Sequence, residues 1–349
     1  MMIGKGLPMG LHIGLDVGTY SIKTVALRQQ KNAFIVERAS MIANPLGLVI
    51  PSQQADRDRF VELLKHMIKD QTIPSGEVHV GLPEAFVSTK IVEMPHLSDQ
   101  ELSSAVGWQA EQYIPIPADD LQLEYQVLYR PPKNDPSQKM RVLMIGVSKT
   151  FVTSYVDLFY QAGLDVRSLG TQTMSIFRLA NLDHTLPTTL IVNIGATTTD
   201  MVVVHNHELA FTYSYPNGGA VLSRAIERGL GLSASQAEEY KRTYGMDETQ
   251  LEGKIKQAMM PIFQPFMNEM QKAMQYFSGS FKGATVQKIL VAGGGSAMNS
   301  ISAILAEQFQ VEIAPFIPSQ MVFAPTVKVL PADIPSYVVS FGYALEGVL

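Results

Sequence analysis

The stretch Asp16-Val17-Gly18-Thr19-Tyr20-Ser21-Ile22-Lys23 joins two apolar runs and carries a carboxylate, a glycine, two hydroxyls and an amine. A tight turn between strands points successive backbone N–H groups into one concavity, which binds anions. Gly18 lets the backbone approach a phosphate closely, while Thr19 and Ser21 add hydroxyl donors and Lys23 a cation. Asp16 ends a run that reads as a buried strand. A carboxylate there suits a Mg2+ ion that keeps its waters and takes one protein carboxylate; capping of its own turn is the plainer alternative. The stretch Asn193-Ile194-Gly195-Ala196-Thr197-Thr198-Thr199-Asp200 offers a second such turn, and Gly293-Gly294-Gly295-Ser296 a third feature. Successive glycines leave a flat backbone for an adenine or ribose, and a following helix N-terminus favours negative charge.

The spacing carries more than any one motif. Ile13–Leu27 reads IGLDVGTYSIKTVAL and Leu190–Val204 reads LIVNIGATTTDMVVV, and Asp16 meets Asn193, Gly18 meets Gly195 and Ser21 meets Thr198 at one offset of 177. A strand-turn-strand unit repeated at half the chain length predicts two similar lobes. Facing each other, two such turns would hold the β- and γ-phosphates of one nucleotide, and positioning is most of what phosphoryl chemistry requires.

The elements that position these turns follow from apolar periodicity. After a third strand over Asn32–Ala43, a helix over Asp56–Lys69 carries Phe60, Leu63, Leu64, Met67 and Ile68 on one face, and Val78–Leu82 is a strand ended by Pro83. Lys90–Ala162 reads as a small β-α-β-β-α unit. It has a strand over Lys90–Met94, a helix opened by Ser98 with Glu101 and stopped by Ile114–Pro117, strands over Leu123–Tyr129 and Arg141–Val147, and a helix over Lys149–Gln161 capped by Gly163. In the second half, helices follow over Ala220–Gly229, over Ala237–Tyr244 with Ser235 and Glu238 in capping-box spacing, and over about Glu252–Phe281. The last presents Ile255, Met259, Ile262, Phe266, Met270, Met274, Phe277 and Phe281 as core, and Pro261 and Pro265 are expected to kink its start.

Composition narrows the classes. The chain has 349 residues, 46% hydrophobic and 17% charged, with 27 Lys+Arg against 32 Asp+Glu and a formal net charge of −5. An acidic chain without a basic run is no nucleic-acid clamp, because phosphate neutralisation needs clustered cations. With Cys 0, disulfides, thiolate metal sites and cysteine nucleophiles are excluded. No signal-like or membrane-spanning run is expected, including over the opening MMIGKGLPMGLHIGLDVG, so the chain reads as cytoplasmic.

From Ile13 to Val348 the chain resembles the actin-like ATPase superfamily, and within it the PilM family of type IV pilus assembly, itself similar to FtsA. The residues carrying the resemblance are DVGTYSIK, the run Trp108–Pro117 (WQAEQYIPIP), NIGATTTD, Lys241–Gly245 (KRTYG), AGGGS and the closing SFGYALEG. It implies an α/β fold of two ribonuclease-H-like lobes with an α+β insertion and a helical insertion. The first lobe core would span 1–89, the α+β unit 90–164, an interlobe connector 165–188, the second lobe core 189–217 with 285–349, and the helical unit 218–284. It also implies ATP or ADP with Mg2+ between the lobes. Phosphate contacts would come from Gly18, Thr19, Ser21, Lys23, Gly195, Ala196 and Thr197, and adenosine contacts from Gly293, Gly294, Gly295 and Ser296, with Glu238 and Lys241 reaching the ribose or base.

The implied partner is the N-terminal cytoplasmic tail of the inner-membrane protein PilN, which would tether the chain to the inner face of the inner membrane and couple it to the motor ATPases and platform of pilus assembly. A homo-oligomer is a further expectation. Candidate docking surfaces are the α+β unit and the face near Trp108, Tyr113 and Ile116. Asp16, Asn193 and Gln172 are the candidate catalytic set, yet Asn193 stands where the family usually has Asp. An amide cannot act as a base, so binding with slow or absent hydrolysis is expected. The alternatives are a small-molecule kinase of the same fold, with Asp200 as base, and an FtsA-like filament former.

Overall fold

The structure, a computed structural model, describes residues 10–31, 33–70, 72–73, 77–132 and 139–348; the opening nine residues and most of the loop expected over 131–139 lie outside the described residues. The first lobe opens with β1 (Leu11–Val17), β2 (Ser21–Gln30) and β3 (Ala33–Ala43), an antiparallel meander, then α1 (Gln54–Lys69) and β4 (Glu77–Leu82), parallel to β1. A single 3-10 turn, Glu84–Phe86, leads into β5 (Val87–Met94), α2 (Asp99–Tyr113), β6 (Leu121–Tyr129) and β7 (Met140–Ser148), a three-stranded sheet ordered β5-β7-β6. Ser98 and Glu101 close a full capping box on α2, which satisfies two of the N–H groups left free at the helix start.

Next come α3 (Lys149–Gln161), β8 (Asp165–Thr171), α4 (Gln172–Ala180), β9 (Thr189–Ile194), β10 (Thr199–His205) and β11 (Glu208–Tyr215). The helical insertion holds α5 (Gly219–Leu230), α6 (Ala234–Thr243) and α7 (Lys254–Ser280), followed by β12 (Lys288–Ala292), α8 (Ile301–Phe309), β13 (Glu312–Pro315), β14 (Met321–Phe323) and α9 (Val338–Glu346). Among the described residues one sheet runs β14-β3-β2-β1-β4-β8 and the other β11-β10-β9-β12-β13. Apart from β14, both repeat one plan: three antiparallel strands from edge to centre, then two strands parallel to the central one. The sequence echo is thus a duplicated sheet.

Packing divides the chain differently from the expected boundaries at three places. Tyr155, Leu158 and Phe159 of α3 are fully buried against Ile13, Leu15, Phe60 and Leu64, so this helix fills the first lobe's core rather than the α+β unit's. β8 is a strand of the first sheet, which leaves α4 as the bridge to the second lobe. After β13 the chain returns to the first lobe: β14 pairs with β3, and α9 packs on α4 and β1. The physical reason is common to all three. Each segment is apolar on the side facing the first sheet, and sequence position does not say which sheet collects it.

Two local expectations also change. The capping box of α6 is made by Ser233 and Gln236, two residues ahead of the expected Ser235–Glu238 pair. And α7 runs helical through Pro261 and Pro265. Burial of Ile255, Met259, Phe263, Phe266, Met267, Met270 and Phe277 in the second core outweighs a proline cost of about 3 kcal/mol each. Phe263 is buried where Ile262 was expected, and the methionines are core rather than a binding groove. No described helix is long and apolar enough to cross a membrane.

Candidate functional site

The site is built on two hairpins in equivalent register. Asp16 lies opposite Lys23 across β1 and β2, and Asn193 lies opposite Asp200 across β9 and β10. In each, a glycine N–H closes the turn on the carbonyl of the third residue onward: Gly18 on Ser21 at 3.0 Å and Gly195 on Thr198 at 2.9 Å. A Cβ on either glycine would stand only 3.0–3.1 Å from that carbonyl oxygen. The chemistry across the pairs differs. Lys23 Nζ is 3.2 Å from Asp16 Oδ2, both largely buried, whereas Asn193 Nδ2 donates to Asp200 Oδ2 at 3.1 Å and Ser214 Oγ to Asp200 Oδ1 at 2.6 Å.

The turns are braced by different means. Asn44 Nδ2 donates to the Gly18 carbonyl at 2.9 Å and to the Leu48 carbonyl at 2.8 Å. In the second lobe the first N–H groups of α5 do this work, Gly219 on the Gly195 carbonyl at 2.8 Å and Ala220 on that of Ala196 at 2.9 Å. Gly218 must be glycine for this approach, since its Cβ would fall 2.5 Å from the Gly195 oxygen. Ser21 is buried, Thr19 half-buried and Thr197 exposed at the rim.

The glycine loop closes the second side. Gly293 has φ 79 and ψ 177, a region open essentially to glycine alone, and its Cβ would meet the Ile194 carbonyl at 2.5 Å and Asn193 Oδ1 at 2.7 Å. Gly295 packs against the Ile194 side chain, and Ser296 Oγ folds back to the Gly293 carbonyl at 2.7 Å. Gly294 alone faces open space. The expected helix does not follow directly. A 3-10 turn over Gly294–Ala297 intervenes and α8 starts at Ile301, so the N–H groups offered here belong to the turn.

Lys241 is brought to this side by α6, buried, with Nζ 2.6 Å from Glu238 Oε2, 2.9 Å from Ser223 Oγ and 3.1 Å from the Gly219 carbonyl. Burial lowers its pKa and Glu238 opposes that shift. Lys241 and Glu238 therefore support the second turn through α5. Gln172 opens α4, with Oε1 3.4 Å from Asn193 Nδ2, so two of the three candidate catalytic residues meet. The Asp16 charge contributes to raising Asp200, after burial.

Two carboxyls are fully buried beside these turns: Glu84, which was not among the candidates, and Asp200, the base of the kinase alternative. Glu84, just past β4, is pushed up to about 8 by burial and then by Asp200, against hydrogen bonds from the Thr173 and Gln172 N–H groups. Asp200 is pushed up to about 6 by burial and by Asp16, against Ser214 and Asn193. Fully buried and engaged on both oxygens, Asp200 cannot face an acceptor hydroxyl as the kinase alternative requires. The only sequence signal for Glu84 is an acid directly after a strand-ending proline, Pro83. Above Glu84 a cavity of about 870 Å3 continues outward between β5 and β11, past Thr173 and Thr198 to Gln109 and Tyr113. Trp108, beyond it on α2, is 74% exposed and so belongs to no core.

Comparison with known proteins places this architecture. A family model described as type IV pilus assembly protein PilM matches residues 14–348. Cell division protein FtsA of Enterococcus faecalis is 21% identical, the match spanning 92% of this chain and 83% of FtsA. A solved PilM-PilN type IV pilus biogenesis complex superposes with a TM-score of 0.83 at 21% identity, covering 98% of this chain and 100% of that chain. MreB5 of Spiroplasma citri bound to AMPPNP gives a TM-score of 0.53 at 12% identity, covering 98% and 97%. The shared fold is that of the actin-like ATPases.

Proposed function

The chain belongs to the PilM family of type IV pilus assembly proteins, and from that membership we propose that it is a nucleotide-dependent scaffold of pilus biogenesis. It binds ATP or ADP between its lobes and docks the cytoplasmic N-terminal tail of PilN, which holds it at the inner face of the inner membrane and couples it to the motor ATPases and platform. The observation that carries the nucleotide reading is the pair of glycine turns in one register, each closed by its own glycine N–H, with a glycine loop packed against the strand end of the second. The PilN reading is supported by a relative solved as a PilM-PilN complex whose fold this chain shares along its length.

The residues present fit a triphosphate and its ion. Gly18, Thr19, Ser21, Gly195, Ala196 and Thr197 would hold phosphates, and Gly293, Gly294, Gly295 and Ser296 would face the adenosine. No described group of three or more His, Asp or Glu is arranged to cage a metal. That suits a Mg2+ held through its waters by Asp16 alone. When bound, the ion would screen the phosphate charge. Lys23 holds the Asp16 carboxylate in place, and Asn193 and Gln172 can orient a water but not deprotonate it. Hydrolysis is therefore slow or absent. Nucleotide orders the two lobes, and that order favours the partner-binding form.

Calorimetry tests both halves: the purified chain titrated with ATP and Mg2+, then with a PilN tail peptide in the presence and absence of nucleotide. Binding of ATP, followed by tighter peptide binding with it, is expected. A chain that binds neither overturns the reading. Single-turnover hydrolysis at about 1 s−1, an ordinary enzymatic rate, abolished by Asp16→Ala, overturns the non-hydrolysing part.

A further inference from the structure

Glu84 occupies a place that neither the mirrored turns nor the glycine loop explains. It opens the 3-10 turn between β4 and β5, the segment by which the chain leaves the first sheet for the α+β unit. Its Oε1 accepts the Thr173 N–H at 3.1 Å and the carboxyl also accepts from Gln172. Thr171 Oγ1 accepts from Met174, so the first three free N–H groups of α4 all have partners. α4 is the helix that carries the chain from β8 to the second lobe, locked to α9 by Ser175 Oγ on the Val339 carbonyl and Arg178 on that of Gly342. From Gln172 the contacts continue to Asn193, Asp200 and Ser214. One buried polar chain thus runs from the first lobe, through the bridging helix, into the second.

We propose that Glu84 is a positioning residue for the cleft: it fixes the first turn of α4, so that Gln172 meets Asn193 and the entry to the α+β unit moves with the bridging helix. The inference rests on the nucleotide reading above for its ligand, not for its geometry.

The surroundings add a proton to this role. Asp200 on β10 and Asp16 on β1 act on the same buried region, Tyr343 of α9 stands close enough to feel all three carboxyls, and Lys23 is engaged by Asp16. Lys90, Glu93 and Arg141 line the cavity farther out. No described cation is paired with Glu84. Two carboxyls that share a dry floor cannot both ionise cheaply, so burial beside Asp200 keeps a proton at Glu84, and its loss sets a second buried charge against Asp200 that the α4 N–H groups only partly offset.

The test compares wild type with Glu84→Gln, which keeps an acceptor for the helix but has no proton to lose, and with Glu84→Ala, which removes the acceptor. Without nucleotide, thermal melts should fall with pH in wild type between about pH 6 and about pH 8 and flatten over that range in Glu84→Gln, because above the titration of Asp200 the extra native-state proton is the one on Glu84. With ATP and Mg2+, wild-type affinity should drop about tenfold as pH rises through 8, one decade per proton per pH unit. Glu84→Gln should show no such slope, and Glu84→Ala should bind about tenfold more weakly throughout. Coincident melt profiles for wild type and Glu84→Gln overturn the inference whether or not nucleotide binds. If wild type shows the melt slope and binds no nucleotide, the nucleotide reading falls while the proton-linked contact between the lobes stands. Should Glu84→Gln not fold, wild type carries the test: infrared spectra between about pH 6 and about pH 9 must lose a buried protonated-carboxyl band, and a silent difference spectrum overturns the inference.

Discussion

The two hairpins share length, register and turn geometry, yet they spend their polar residues in opposite ways. In the first lobe the acid on the central strand faces a lysine, and the turn is held by a side chain, Asn44. In the second lobe an amide replaces the acid, the acid has moved across to β10, and the turn is held by the backbone of α5. The loops that follow the fourth strands diverge likewise: β4 leads to a buried carboxyl at Glu84, β12 to glycines packed on Ile194. Duplication preserved what backbone geometry demands. It left free the charges, so that one hairpin carries an ion pair and the other an amide–carboxyl pair with close backbone approach.

Four substitutions break or sharpen this contrast. The largest effect is expected from Gly293→Val, which places a branched side chain in a glycine-only conformation against two backbone atoms of the second hairpin. A loss of about 4 kcal/mol or failure to fold is expected in thermal and denaturant unfolding. Asn193→Asp comes next. It sets a second carboxyl 3.1 Å from Asp200 in a buried site, costing about 3 kcal/mol at pH 8. Carboxyls raised in the folded state stabilise at low pH and lose that contribution as pH rises, so this deficit should shrink towards pH 5. A melt deficit independent of pH would contradict the assignment.

Asn44→Ala removes the side-chain brace of the first turn and should cost about 2 kcal/mol, with weaker ATP binding by calorimetry. No single side chain in the second lobe has an equivalent role, because its brace is backbone. Trp108→Ala is the smallest for stability, within about 0.5 kcal/mol for an exposed side chain. The same variant tested against the PilN tail peptide reports whether the exposed ring on α2 belongs to the docking surface, and a clear loss of affinity is expected there.

What the sequence made legible follows from range. The repeated hairpins were readable because a fixed offset of 177 needs no knowledge of folding, and Gly18, Gly195 and Gly293 because backbone geometry restricts the residue type. Local signals also held where a helix end satisfies itself, as at Ser98 and Glu101. Ser233 won over Ser235 because both offer the same i+3 spacing and only packing of Ala237 in the core chooses between them. Glu84 was invisible because its partner Thr173 is 89 positions away and the acid has no echo at the glycine loop. For Lys241 the position was readable, but its partners, the Gly219 carbonyl and Ser223, belong to another helix. The return of β14 and α9 to the first sheet was likewise a matter of which apolar surface remained uncovered.

That return has a mechanical consequence. A polypeptide passing once between two bodies is a tether, which allows separation and free rotation; passing twice, through α4 and again ahead of α9, it is a hinge with a defined axis. A double crossing leaves the two halves fewer directions of relative movement than a single one would. Removing the last thirty or so residues would not trim an appendage but would take out one of the two pins.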